Sequence, residues 1–239
     1  MDRRTHMNDS SPMPVNNSSK EKIVLSWSGG KDSVLALHEI LRTDRYEVEA
    51  LLVNVIEETD RIAMHDVPVE LIEQQAKYLG HYLRKIYLPE TRTNQQYLAR
   101  VGEVLLSYKA KGVHRVAFGD LFLEDIKQFR EKSLTAISMK GLYPIWSRDT
   151  AELARSFIES GFKAIVICVD DNVLGRSFVG RLFDHNFLNE LPPNVDPCGE
   201  NGEFHTFVFD GPIFRKPVLF HKGTIEKKDQ FYYCDLVQA

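Results

Sequence analysis

Cysteine is scarce: Cys168, Cys198 and Cys234 are the three in the chain, and no two form a CxxC pair or a metal-ligand cluster. This argues against a disulfide framework and a structural zinc site, and it fits a reducing cytoplasm. Long apolar runs are missing too, so no segment is expected to span a bilayer. The first twenty residues, MDRRTHMNDSSPMPVNNSSK, hold no apolar stretch, and 1–20 read as a disordered tail rather than a signal peptide. Excess positive charge is also lacking. Lysine and arginine number 30 against 34 acidic side chains, a formal charge of -4, so nothing marks a tight nonspecific nucleic-acid binder, although a local basic groove stays open. Repeats and low-complexity arrays are absent.

What is present can bury a substantial core: 43% of the 239 residues are hydrophobic and 10% aromatic, enough for one large domain or two small ones. Strand-like runs IVLSW (23–27), VEALLVNVI (48–56), LRKIYLP (83–89), HRVAFGD (114–120) and FKAIVICVD (162–170) alternate with helical periodicity. Helices are predicted over SVLALHEILR, over VELIEQQAKYLG and near 94–110, 124–140 and 149–160. Runs apolar on both faces imply an α/β fold, a doubly wound, mainly parallel sheet with helices on each side. Ligands then sit beyond the carboxyl ends of the strands. After about residue 171 the pattern becomes proline-rich and ends in two strand-like runs around a HKG turn. The expected division is a larger α/β domain over 21–172 and a smaller mixed α+β lobe over 173–239.

The first strand drops into SGGKDS (28–33) and then into a helix whose Val34, Leu35, Leu37, Ile40 and Leu41 can face the core. Gly29 and Gly30 let backbone approach a ligand closely. The helix N-terminus, worth roughly +0.5 charge, faces an anion there. Ser28 and Ser33 can add hydroxyls and Lys31 a mobile cation. A Walker A loop is excluded, because it needs glycine at Leu25 and Ser or Thr at Asp32. The plainer alternative is a strand-helix connection in which Asp32 or Ser33 caps the helix.

SGGKDS in this position resembles the PP-loop of the N-type ATP pyrophosphatases, whose fold is adenine nucleotide alpha hydrolase-like. The resemblance implies ATP bound with Mg²⁺ and split between its α and β phosphates. TDRIAMHDVPVELIEQQAKYLG, FGDLFLEDIKQFRE, GLYPIWSRDTAEL and CGENGEFHTFVFDGPIF (198–214) are similar to the diphthine-ammonia ligase family. That likeness implies a cytoplasmic ATP-dependent ligase that adenylates a carboxylate and then passes the acyl group to ammonia, releasing AMP. The acceptor it implies is diphthine, a modified histidine on an elongation factor. His205 stands where an archaeal pattern, GEGGEYET, has glutamate, and Asn201 where it has glycine. These departures mark a separate branch and leave the acceptor open. No glutaminase segment is evident, so free ammonia is the expected nitrogen source, and a homo-oligomer is compatible with the sequence.

Candidate site residues follow. Asn54 ends the second strand, where adenosine is expected, with Met64 and His65 shortly after as a soft face and an imidazole for adenine. Gly119 and Asp120 end the fourth strand; with Asp32, Asp120 is the candidate Mg²⁺ ligand or amine-orienting carboxylate, its plainer role being a helix cap. Glu124, Arg130 and Glu131 read first as a solvated helix face. In CGENGEFHT, Glu200, Asn201, Gly202, His205 and Thr206 are candidates for the acceptor. Glu203 is the candidate acid–base group, able to share a strand face with His205. Catalysis is thus assigned to Lys31, Asp120 and Glu203. Two other functions compete: a tRNA thiolase or lysidine synthase, for which Cys198 is the one candidate thiol, and a nucleotide sensor without turnover.

Overall fold

The computed structural model describes residues 20–239; apart from Lys20, the tail expected over 1–20 lies outside the described residues. The first sheet contains β1 (Glu21–Ser26), β2 (Tyr46–Ile56), β3 (Arg61–Ile62), β4 (Leu83–Leu88), β5 (Arg115–Ala117) and β6 (Lys140–Leu142). Its parallel strands run in the order β4-β2-β1-β5-β6. The chain runs outward from β1 through β2 to β4 and then crosses back to β5 on the other side of β1, and such a switch point, between β1 and β5, opens a crevice at the carboxyl ends. β3 is antiparallel to the last residues of β2, Val55 and Ile56, which also pair with β4. It therefore lies on the β1 side, beyond the end of β1, and brings residues 57–67 over the crevice.

Helices α1 (Lys31–Thr43), α2 (Val69–Leu79), α3 (Asn94–Lys109) and α4 (Glu124–Ala136) complete the first unit. Alternation along β1 separates its two faces. Ile23 and Leu25 pack with Leu37 and Ile40 of α1 and Leu71 and Ile72 of α2, whereas Val24 joins Leu105 of α3 and Leu134 of α4. Leu41, expected to face the core, is 42% exposed. It falls one step past the stripe that includes Leu37 and Ile40.

The remainder comprises α5 (Thr150–Glu159), β7 (Lys163–Asp170), α6 (His185–Glu190), β8 (Phe204–Asp210), β9 (Phe220–Lys228) and β10 (Phe231–Gln238). The four strands form an antiparallel sheet in the order β8-β7-β10-β9. This corrects the expectation for β7. It does not extend the parallel sheet but lies inside the second one, between β8 and β10, and so the change of sheet falls ahead of residue 163. A strand buried on both faces reads alike in either setting. The terminal hairpin also turns later than expected, at Asp229 and Gln230, and HKG lies within β9. The apolar cluster on the α1 side continues through Phe157, Val166 and Phe207, so the two sheets share one core.

Candidate active site

Glycine stands at the N-cap of α1, which has no side-chain cap. Neither Asp32 nor Ser33 caps it; Ser33 Oγ instead donates to the Gly30 carbonyl at 2.9 Å. Two amides expected to face an anion are already engaged, Gly30 N–H with Ser28 Oγ at 3.2 Å and Lys31 N–H with Thr206 Oγ1 at 3.1 Å. Gly29 points away from the crevice. Its φ of +79° is left-handed, and a Cβ there would stand 2.4 Å from Ile72 Cδ1, so both backbone shape and core packing require glycine. Its carbonyl accepts from Val208 N–H at 2.9 Å, which ties the turn to β8.

Beyond the turn lies a cavity of about 380 Å³. Ser28, Gly30, Lys31, Asp32 and Ser33 line one side. Lys31 is not mobile: it is 2% exposed, and Nζ donates to Asp32 Oδ2 at 2.9 Å and to the Cys198 carbonyl. Burial opposes its charge, yet Asp32 holds its pKa above the usual lysine value. The other oxygen of this carboxylate, Asp32 Oδ1, is buried with no hydrogen-bond partner among the described residues.

Asn54, Met64 and His65 also line the cavity. Met64 is 75% exposed and adopts φ of 68°, so it forms a rim rather than a packed face. His65 and His205, both lining the cavity, meet with ring centroids 4.6 Å apart. Burial lowers the His65 pKa to about 4, with the Lys31 charge adding and the Ala63 carbonyl opposing. Burial also lowers His205 well below the usual range, helped by His65 and Lys31. Both imidazoles are neutral at pH 7.

On the β5 side, Gly119 and Asp120 reach the cavity as expected. Both Asp120 oxygens are taken by Arg130, Oδ2 from Nε at 2.6 Å and Oδ1 from Nη2 at 3.0 Å. The guanidinium lies 4.3 Å from the Phe118 ring centroid. Arg130, read from sequence as part of a solvated face, is thus a cavity residue, as are Arg92 and Tyr97. Glu124 and Glu131 are not.

The loop before β8 and the first residues of β8 form the fourth wall. Glu200, His205 and Thr206 line the cavity, whereas Asn201, Gly202 and Glu203 do not. Glu203, expected to act opposite the nucleotide, is 6% exposed and braces the loop. Its Oε1 accepts from Asp196 N–H at 3.0 Å and Asn201 Nδ2 at 2.9 Å. Glu200 stands in the cavity instead, its Oε1 accepting from Leu121 N–H at 2.7 Å. Burial raises its pKa to about 7, opposed by that hydrogen bond and reinforced by Asp32. Cys198 is buried, donates to the Thr150 carbonyl at 3.3 Å, and has its thiol pKa pushed up by burial. It lacks the exposed, electropositive setting of a reactive cysteine.

Two structural residues went unnoticed in sequence. Gln75 is fully buried between Trp27, Gly29 and Val208; its signal is a polar residue on the apolar stripe of α2. Asp196 accepts from Cys198 N–H, Glu200 N–H and Thr150 Oγ1. Its signal is the Asp that opens DPCGEN, a turn former.

Comparison with known proteins adds to this geometry. The family model described as Diphthamide synthase N-terminal domain matches residues 21–141, and the one described as Diphthamide synthase C-terminal domain matches 149–239. A Mus musculus diphthine–ammonia ligase is 30% identical over 223 residues, which cover 80% of each chain. A Rattus norvegicus diphthine–ammonia ligase is 29% identical over 237 residues and 85% of each chain. One from Schizosaccharomyces pombe is 34% identical over 95 residues, 38% of this chain and 16% of the relative. Among the described residues no helix is long and apolar enough to cross a membrane.

Proposed function

Because the chain belongs to the diphthine–ammonia ligase family of ATP-dependent amidating ligases, we propose that its cavity binds ATP and activates the carboxylate of diphthine on an elongation factor. Ammonia then forms the amide, and the reaction is set in the cytoplasm. The observation that carries this proposal is the N-terminus of α1, which opens at the switch point onto a cavity whose far wall comes from the second sheet.

The triphosphate lies along residues 28–33, with the outer phosphoryl groups at the α1 N-terminus, where the helix dipole favours negative charge. The Ser28 hydroxyl, whose oxygen accepts from Gly30 N–H, donates its proton to it. Lys31, fixed by Asp32 and the Cys198 loop, supplies a preorganised positive charge toward the leaving pyrophosphate. Adenosine extends toward Asn54 and the loop carrying Met64 and His65. The acceptor carboxylate enters between Arg92, Arg130 and the loop before β8, where one oxygen attacks the α-phosphorus and pyrophosphate departs.

The donor set fits Mg²⁺ carried in with the nucleotide. Among the described residues, the buried carboxylate oxygen Asp32 Oδ1 has no partner, and no group of three or more His, Cys, Asp or Glu forms an all-protein cage. Mg²⁺ is commonly held by one or two carboxylates plus substrate phosphates. When bound, it neutralises charge on the departing pyrophosphate.

In the second half-reaction ammonia attacks the acyl carbon and AMP leaves. The nitrogen must lose a proton, and Glu200, near pH 7 in its titration, is the cavity carboxylate matched to accept it. The neutral His65–His205 pair keeps that side of the site free of positive charge, in contrast to Lys31.

The test is product analysis with labelled ATP, ammonium and a protein bearing diphthine. Amide, AMP and pyrophosphate are expected in equal amounts. ADP and phosphate as products would rule the assignment out.

A further inference from the structure

Residues 57–67 close one side of the cavity in an unusual backbone conformation. Asp60, Met64 and Asp66 have φ of 51°, 68° and 53°, left-handed values that side-chain-bearing residues keep when their surroundings impose them. Inside the segment, Ala63 N–H donates to the Asn54 carbonyl at 3.0 Å and Asp66 N–H to the Ile62 carbonyl at 2.9 Å.

A second brace comes from the other end of the chain. Arg61 Nε lies 2.8 Å from both the carbonyl oxygen and Oδ1 of Asp66. Its Nη2 donates to Asp235 Oδ1 at 2.6 Å, across 174 positions of sequence. Lys228 Nζ reaches Asp66 Oδ2 at 2.7 Å. One guanidinium thus joins the backbone and side chain of the loop to the β9–β10 hairpin. Isolated surface ion pairs contribute little to stability, but a planar fork held at several points fixes orientation.

Asp235 reaches Arg61 through a local irregularity. Cys234 pairs with Ile225 and Leu236 with Lys222, so Gly223 and Thr224 together oppose Asp235 alone. Such a bulge re-aims a side chain and is common beside active sites. Gly223 leaves the room this needs, since a Cβ there would stand 2.9 Å from Asp235 Oδ2. A glycine inside a strand otherwise weakens it.

We infer that Asp235, through Arg61, is a positioning residue that holds residues 61–66 so that His65 packs against His205 at the cavity wall. The inference rests on the proposal that this cavity takes ATP. Neither Asp235 nor Gly223 lines it, so any effect on the nucleotide passes through the loop.

Hydrogen–deuterium exchange of the nucleotide-free protein tests the brace. In Asp235→Asn, exchange across 61–66 is expected to quicken on the order of tenfold, while β1 and β2 keep wild-type rates, which a general loss of stability would not allow. Arg61→Ala, which also removes the bonds to Asp66, should quicken exchange at least as much, and adding Asp235→Asn to it should add nothing, because Asp235 acts through Arg61. Gly223→Ala, which crowds the carboxylate away from Arg61, should reproduce the effect. ATP affinity, measured by calorimetry, should fall severalfold in each variant. Unchanged exchange across 61–66 in Asp235→Asn, or equal quickening throughout the first sheet, would overturn the inference. A separate arm adds ATP to the wild type: failure to slow exchange at 61–66 would count against the nucleotide proposal, while the nucleotide-free comparison still decides the brace.

Discussion

Gln75 Nε2 lies 2.9 Å from the carbonyl oxygen of Gly29, and the same nitrogen lies 2.6 Å from that of Val208. Its Oε1 accepts from Trp27 Nε1 at 2.8 Å. One buried side chain therefore joins α2, the turn after β1 and the opening of the second sheet, and it sets the height of the turn against the cavity. Gln75→Leu keeps the apolar packing of the stem but strips the Trp27 indole N–H of its acceptor and takes a donor from the Gly29 and Val208 carbonyls, the former keeping Val208 N–H. A loss of about 3 kcal/mol is expected in urea unfolding, together with weaker ATP binding. A variant as stable as the wild type would mean that these groups find other partners.

Lys31 is expected to matter to chemistry more than to folding. Lys31→Met should lower AMP formation on the order of a hundredfold, the scale seen on removing one transition-state donor. Near-ultraviolet circular dichroism checks that the fold survives. Undiminished AMP release from a folded variant would show that the Lys31 charge does not act on the leaving group.

Glu200 and Glu203 should separate cleanly. Glu200→Gln is expected to slow amide formation on the order of a hundredfold, as loss of a general base does. Glu203→Gln should loosen the loop and lower the unfolding midpoint while turnover stays near wild type. The pH dependence carries a sign. Glu200 is raised from 4.5 to about 7, so between those values the folded chain holds a proton that the unfolded chain has lost. Stability contributed by this group therefore falls as pH rises through the window, and Glu200→Gln should remove that fall. Activity should move the opposite way, with kcat/KM rising through about pH 7 as the carboxylate ionises. A flat profile would deny Glu200 the base role.

The imidazole pair predicts acid sensitivity. His65 is lowered from 6.5 to about 4, and His205 moves in the same direction. Between those limits the unfolded chain binds more protons, so stability is lost as pH falls from 6.5 toward 4. The double variant His65→Asn with His205→Asn should flatten the thermal midpoint across that range; an unaltered slope would contradict the buried neutral pair. His205→Glu sets a carboxylate beside His65 and should raise its pKa, as read by NMR titration.

Much of the site was legible because local chemistry writes it. SGGKDS between an apolar run and an amphipathic helix predicts the turn at the α1 N-terminus, and β-branched runs alternating with helices predict the parallel sheet. The acid–base role went to Glu203 and acceptor binding to Glu200, although both carboxylates sit in one glycine-containing loop whose spacing does not say which of them faces the cavity. Which one enters the cavity depends on Asp196 and Leu121, whose amides bind Glu203 and Glu200 respectively. β7 went to the wrong sheet because a strand buried on both faces records burial and not the direction of its neighbours.

The sequence by itself determined the turn, its residues and the alternating first unit, because backbone geometry and periodicity act over a few positions. Only the tertiary structure decided that Lys31 is locked to the Cys198 carbonyl, 167 positions away, that Arg130 occupies both oxygens of Asp120, and that His65 meets His205. Those contacts join segments remote in the chain, and their partners are chosen by how the two sheets pack over one core, a property that no short stretch of residues encodes alone.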